Sequence, residues 1–355
     1  MRQRGYWSWG HRLRLARAFL SGAPVWCTWQ VTYRCPLRCR FCDYWRLPAA
    51  KSEERPPADF ARGSRNLARL GTLMVSLAGG EPLLRDDLEQ VVAAVARHHV
   101  AFLTTCGYGL TADRARALWD AGLWGASVSI DYADPARHDA ARGRVGAFDH
   151  AIRALEHLSA TRTTWFQQVN LMAVLMHDNL DDLDGLAALA LKHRANFMVQ
   201  PYSPAKTGSR DFLPRAPVVP TIRALKQRWP NVLSNRWFLG RFDEYLNGGV
   251  AGCAAGVRFF NIDHRGRVSP CVEQMDAPVG SILETPIEVL LRRLHQSAAD
   301  AQRAGRTCRD CWYNCRGETE ALRTVRGFLE GLPTYLIGPW RCRWATRRQP
   351  RGARR

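Results

Sequence analysis

The chain has 355 residues, 46% of them hydrophobic, which fits a globular protein with a sizeable core and excludes a disordered one. No stretch approaches the roughly 20 apolar residues that span a bilayer, and Arg12, Arg14 and Arg17 interrupt any secretory apolar core, so a cytoplasmic protein is expected. The formal net charge of +19 suits a solvated arginine-rich surface, an acidic electron-donor protein, an anionic membrane or nucleic acid, and charge alone does not separate these.

Residues 1–24 read as a basic N-terminal helix. Trp9, Leu13, Ala16 and Leu20 follow helical spacing and Phe19 widens the stripe. Packing against the main domain is the simpler reading; a basic helix with Trp also suits the inner face of a membrane. Short apolar runs then alternate with helical stretches. Strands are predicted over 25–32, 72–77, 100–105, 125–130, 166–175 and 196–201, with helices over 85–98, 111–121, 146–158 and 179–193. That rhythm predicts a parallel sheet with right-handed crossovers. Six units are too few for a closed eight-fold barrel, so the expected fold is α/β, a partial (β/α)6 barrel over 25–220. Several prolines mark its end, a helical connection follows over 221–249, a small cysteine-rich domain occupies 250–345, and a basic tail expected to be disordered runs over 346–355.

The chain holds 11 cysteines, eight of them in two groups. In a cytosolic chain, clustered cysteine points to metal or redox chemistry before disulfides. Cys35, Cys39 and Cys42 follow the first strand with the spacing C-x3-C-x2-C, and Phe41 precedes the last. Thiolates suit iron–sulfur clusters and zinc alike. A zinc site would want a fourth nearby ligand, whereas a cubic cluster held by three thiolates keeps one iron open. Gly79-Gly80-Glu81-Pro82 follows the second strand at the same rim, where barrel enzymes gather catalytic groups. Ser127-Val-Ser129-Ile-Asp131 ends the fourth strand, with Arg142 beyond it.

Together these motifs resemble the radical S-adenosylmethionine (radical SAM) enzymes, in the family's order along strands one to four. The resemblance implies that Cys35, Cys39 and Cys42 hold a 4Fe–4S cluster. It implies that Gly79, Gly80 and Glu81 hold the methionyl amino group of S-adenosylmethionine, that Ser129 and Arg142 contact its ribose and carboxylate, and that Phe41 packs near its adenine. The implied reaction is reductive cleavage of that cofactor to a 5′-deoxyadenosyl radical, which takes a hydrogen atom from a substrate C–H bond. No catalytic acid or base is identified. One departure follows the third strand, where Cys106 stands in place of the family's frequent Asn; it reads as a packed core thiol or one facing substrate.

The second group is Cys253, Cys271, Cys308, Cys311 and Cys315, with Cys342 a late candidate. Cys253 and Cys271 bracket a hairpin predicted over 257–271, with Gly266 in its turn. The layout resembles the SPASM/twitch extension of radical SAM enzymes and implies one or two auxiliary 4Fe–4S clusters. One cluster from Cys253, Cys271 and two of Cys308, Cys311 and Cys315 is the expected set, with zinc as the alternative. Expected partners are a flavodoxin- or ferredoxin-type electron donor and a peptide or small-molecule substrate. The first strand begins near Val25 with no separate peptide-recognition domain before it, which weighs against a peptide. A lipid or isoprenoid at a membrane is a second option. A zinc protein that binds nucleic acid is the reading of another class, disfavoured because base-reading aromatics do not alternate with Lys or Arg on one strand. The substrate is expected between barrel mouth and cysteine-rich domain, near Tyr108, Gln200, Tyr202 and Glu273.

Overall fold

The computed structural model describes residues 9–48, 50–164, 167–305 and 308–330. Six strands form the barrel: β1 (Trp26–Thr32), β2 (Met74–Gly79), β3 (Val100–Thr105), β4 (Gly125–Ser129), β5 (Gln168–Leu175) and β6 (Asn196–Pro201). Each pairs in parallel with the next. Three later strands, β7 (Phe259–Ile262), β8 (Arg267–Ser269) and β9 (Gly280–Ser281), extend the same sheet beyond β1. β7 runs parallel to β1, while β8 and β9 add antiparallel. The partial parallel barrel is as predicted. The hairpin of the cysteine-rich region does not stand apart; it continues the barrel sheet.

The helices are α1 (Trp9–Leu20), α2 (Pro57–Leu67), α3 (Leu88–Ala96), α4 (Ala112–Asp120), α5 (Pro135–Arg142), α6 (Ala147–Thr161) and α7 (Leu183–Lys192). Beyond the barrel come α8 (Val219–Arg228), α9 (Arg236–Leu239), α10 (Phe242–Leu246), α11 (Ile287–Arg303) and α12 (Asn314–Ala321). Among the described residues, no helix is long and apolar enough to cross a membrane.

The strands alternate with period two. Cys27, Trp29 and Val31 of β1, like Val75 and Leu77 of β2, are buried on the sheet's helix side. They meet stripes such as Leu88, Val91, Val92 and Val95 of α3. Each such side chain contributes about 1.5–3 kcal/mol when fully buried. The other face lines the barrel lumen and mixes polar residues such as Thr28, Gln30, Ser76, Thr104, Ser127 and Asn170 with apolar ones such as Trp26, Met74, Phe102, Trp124 and Met172.

Helices α2 and α5 of the barrel, like α11 and α12 beyond it, are absent from the sequence reading. Helix α5 sits in a stretch too short and polar to show periodicity, and is set by Asp134, whose carboxylate accepts from the Arg137 N–H at 2.8 Å, and by Gly143 in the left-handed region at φ 63°. Helix α2 hides behind Gly63 and Ser64, poor helix formers. Both are buried because α2 lies tightly on β1, and a Cβ on Gly63 would sit 2.6 Å from Trp29 Cη2. Gly63→Val should therefore destabilise the fold by about 1–3 kcal/mol through overpacking. A urea midpoint equal to that of the parent chain would contradict this packing.

Candidate active site

The cysteine loop leaves β1 at the C-terminal rim and is stitched to the end of α5. The Arg38 and Arg40 N–H groups donate to the carbonyls of Arg142 and Ala141 at 3.0 and 3.1 Å. Trp45 Nε1 donates to the Cys39 carbonyl at 3.3 Å. Cys35, Cys39 and Cys42 are free thiols lining one cavity of about 200 Å³. Burial pushes the Cys35 thiol up to about 12, helped by Glu81, Cys39 and Cys42. Burial pushes Cys39 up to about 11 against the downward pull of Arg142.

A zinc ion requires sulfurs about 2.3 Å from one point. Among the described residues, no three His, Cys, Asp or Glu side chains converge that way. The three thiols line one wall of the cavity together with Phe41 and Arg142. Cys106 is half-buried: it packs against the hydrophobic core and also lines the same cavity.

Gly79 and Gly80 also line this cavity. Their lack of side chains has a second cause, which the sequence reading missed. Gly79 lies at φ 134°, and a Cβ on it would collide with the Thr32 carbonyl; one on Gly80 would collide with the Arg34 carbonyl. The backbone clasp is completed by Gly80 N–H to Thr32 O and Glu81 N–H to Arg34 O, both 2.8 Å. Glu81 is fully buried and is not among the lining residues. Its Oε1 accepts from Leu83 N–H at 2.9 Å and Thr105 Oγ1 at 2.7 Å, and its Oε2 accepts from Cys106 N–H at 2.6 Å. Burial raises its pKa and these donors lower it. The carboxylate thus clamps the ends of β2 and β3, while the two glycines face the cavity.

Ser129, Arg142 and Phe41 line the cavity as well. Arg142 is 8% exposed. Its Nε and Nη2 reach Asp131 Oδ2 at 2.8 and 2.6 Å, its Nη1 lies 4.0 Å from Cys39 Sγ, and its guanidinium sits 5.2 Å from the centre of the Phe41 ring. Burial alone would lower Arg142; Asp131 and Cys39 hold it above its ordinary value. Asp131, itself fully buried, also accepts from Val174 N–H through Oδ1 at 2.9 Å. The Asp at the end of the Ser-Val-Ser-Ile-Asp run was the available signal for this pair.

Four distant segments meet beside the cavity. Lys206, in the 3₁₀ turn after β6, lies 2.7 Å from Glu273 Oε1 and 3.8 Å from the centre of the Tyr44 ring. Tyr313 donates to the same carboxylate oxygen at 2.9 Å. Burial alone would lower the Lys206 ammonium, but Tyr44 and Glu273 keep it above the usual lysine value. Gln200 and Tyr202 line the cavity as expected, whereas Tyr108 is not among the lining residues and instead accepts from Arg144 Nη2 at 2.9 Å.

Cys253, Cys271, Cys308, Cys311 and Cys315 are all free thiols and gather in one region. Cys311 is pushed well above its ordinary pKa by burial and then by Cys315, Cys253, Cys271 and Cys308. Burial likewise pushes Cys271 and Cys315 up to about 12. Arg316, fully buried, staples the two halves of the group: Nη2 donates to the Val250 and Ala251 carbonyls, both 2.8 Å, and Nη1 to the Cys311 carbonyl at 3.2 Å. Cys342 lies outside the described residues. The barrel lumen, about 330 Å³, adjoins the first cavity; Cys42, Tyr44, Lys206 and Tyr313 line both, and Cys315 lines the lumen.

Removing the carboxylate charge at Asp131 leaves Arg142 as an uncompensated buried cation. Asp131→Asn should cost about 3–5 kcal/mol, read as a lower denaturation midpoint, and Arg142→Leu added to it should recover part of that loss. Additive losses in the double variant would contradict the pairing.

Known proteins share the sequence pattern and the fold of this chain. The family model of the radical SAM superfamily matches residues 29–190. The chain is 30% identical to the mycofactocin maturase MftC of Mycolicibacterium smegmatis, over 92% of this chain and 84% of that protein. In fold it is similar to Streptococcus suis SuiB bound to precursor peptide SuiA, with TM-score 0.62 and 16% identity over 89% of this chain and 77% of that one. It is also similar to anSMEcpe with bound AdoMet and a Cp18Cys peptide, with TM-score 0.60 and 15% identity over 89% of this chain and 99% of that one.

Proposed function

Because the chain belongs to the radical SAM superfamily, we propose that it is a peptide-modifying member, with Cys35, Cys39 and Cys42 as ligands of the 4Fe–4S cluster. The radical SAM cluster and S-adenosylmethionine follow from membership, and the reading of the motifs as accidents in a zinc and nucleic-acid protein falls with it. When bound, the cluster and its cofactor supply one-electron cleavage of a sulfonium, and with it the radical that abstracts hydrogen.

The chain's own residues prepare that site. The bonds from Arg38 and Arg40 tie the loop to the end of α5. Arg142 offsets thiolate charge at Cys39, and Asp131 keeps the guanidinium aimed there. Gly79 and Gly80 leave backbone polar groups accessible from the cavity, and Ser129, Arg142 and Phe41 complete the cofactor-facing wall. Cys253, Cys271 and two of Cys308, Cys311 and Cys315 would hold one auxiliary cluster, delivering or accepting electrons beside the lumen. A flavodoxin- or ferredoxin-type protein would supply the reducing electron, to which the positive net charge is suited.

The observation that carries the substrate reading is the lumen itself. It touches the cofactor cavity on one side and Cys315 on the other. The maturase MftC, similar along nearly the full chain, and the peptide-bound SuiB and anSMEcpe complexes support a peptide there.

A second reading concerns α1. Its Leu13 and Leu20 are 67% and 83% exposed, while Arg14 Nε donates to Thr72 Oγ1 at 3.3 Å. Outward leucines beside arginines suit an anionic membrane surface. Co-sedimentation with anionic liposomes, with and without residues 1–23, tests it: binding unchanged by the deletion makes the helix merely structural.

The peptide reading is tested by anaerobic reconstitution with iron and sulfide, then dithionite, S-adenosylmethionine and a panel of synthetic peptides. 5′-Deoxyadenosine should rise with at least one peptide, whose mass changes, and should fall at least about 100-fold in the Cys35, Cys39 and Cys42 to Ala variants. Cofactor cleavage that no peptide stimulates would overturn the peptide reading, and cleavage intact in those variants would overturn the ligand assignment.

A further inference from the structure

We infer that the barrel lumen is a carboxamide-lined subsite that selects an uncharged peptide segment, with Gln30 and Asn314 accepting its N–H groups. The inference rests on the peptide reading above and adds the chemistry by which the segment is recognised.

Gln30 on β1 is 2% exposed and lines the lumen, yet its Oε1 has no hydrogen-bond partner. Asn314, the first residue of α12, lines the same space, and its buried Oδ1 is likewise unpartnered. Both amides are fixed at their other ends. Gln30 Nε2 donates to Asn261 Oδ1 at 3.4 Å; Asn314 Nδ2 lies 3.4 Å from Met172 Sδ, and its backbone N–H donates to Gln200 Oε1 at 3.3 Å. A buried acceptor without a donor costs about 1–3 kcal/mol, and nearly all buried polar groups in folded proteins avoid that cost. Two such acceptors in one cavity ask for a ligand that brings N–H groups.

The rest of the wall agrees. Its middle is neutral: Thr28, Ser76, Thr104, Ser127 and Asn170 face inward from consecutive strands. Neighbours among them already pair, Asn170 Nδ2 donating to Ser127 Oγ at 3.2 Å. The lining cations are answered by the protein, and burial pushes the pKa of the lining Glu318 up to about 7. Lys206 is held by Glu273 at 2.7 Å, Lys226 donates to the Ser234 carbonyl at 2.6 Å and lies 3.3 Å from Glu330, and Glu318 accepts from Asn235 N–H at 3.0 Å. An anionic substrate side chain would find the lining lysines already paired and enter without a counterion, which is costly. Trp26, Phe102 and Trp124 give an apolar seat for one uncharged side chain. The volume of about 330 Å³ lies within the range of ligand sites.

The probes are N-acetyl-phenylalanine methylamide, the corresponding methyl ester, which lacks one N–H, and N-acetyl-aspartate methylamide. Binding to the reconstituted holoenzyme with S-adenosylmethionine is read by saturation-transfer NMR titration. The amide should bind about tenfold more tightly than the ester, and the aspartate probe more weakly still. Gln30→Leu and, separately, Asn314→Leu should reduce the amide–ester ratio, with ester binding retained. Equal affinity of the parent enzyme for amide and ester, tighter binding of the aspartate probe, or no saturable binding of the amide would each overturn the subsite; the parent comparison holds even if a variant fails to fold. 5′-Deoxyadenosine release with the peptide panel is measured in parallel. Peptide-stimulated release with amide–ester parity rejects this subsite alone, whereas amide discrimination without stimulation by any peptide rejects the peptide reading.

Discussion

Arg142 is a cation buried at the rim of the barrel, and the site depends on its being balanced. Placing a guanidinium out of water is unfavourable unless a carboxylate answers it. Asp131 does so at 2.6 Å. The pair joins the segment after β4, the end of α5 and, through Cys39, the cysteine loop. The α5 carbonyls then take the N–H groups of Arg38 and Arg40. Three thiols thereby share one cavity, and a positive charge stands beside one of them. A loop of three cysteines without that scaffold would have to order itself during cluster assembly, at an entropic cost of about 1–2 kcal/mol per backbone residue.

The same logic extends across the molecule. The barrel and the C-terminal cysteines are linked by one continuous sheet through the β1–β7 pairing. They are linked again by polar contacts: Lys206 and Tyr44 from the barrel side meet Glu273 and Tyr313 from the cysteine-rich side. Each of these last two lies within two residues of a cysteine of the second group. Geometry that fixes the ion pair therefore also fixes the distance between the two cysteine groups, and the lumen lies between them. The account is one of preorganisation: the polypeptide orders thiols, charges and a neutral channel, and leaves the reactive chemistry to what it binds.

The barrel was legible because period-two strands and amphipathic helices repeat locally. The cysteine trio and the Gly-Gly pair were legible for a similar reason, since their meaning lies in short spacings at strand ends. Contacts between distant segments were not. Nothing within a few residues of Lys206 announces Glu273, and nothing near Arg316 announces the carbonyls of Val250 and Ala251. Helix α2 escaped because close packing on Trp29 selects Gly63, which weakens the helical signal it belongs to. The motif located Glu81, but its hydrogen bonds to Thr105, Leu83 and Cys106, which tie β2 to β3, were not legible in it.

The central claim is that Cys35, Cys39 and Cys42 hold a cluster with one corner open to S-adenosylmethionine. It is tested most directly by electron paramagnetic resonance of the reconstituted, dithionite-reduced chain in which Cys253, Cys271, Cys308, Cys311 and Cys315 are all replaced by alanine, so that these five cysteines contribute no signal. Spectra are recorded before and after S-adenosylmethionine is added. The account expects a reduced-cluster signal whose g-values shift on addition and that disappears when the trio is replaced by alanine. A signal indifferent to S-adenosylmethionine, or one that survives loss of the trio, would contradict it.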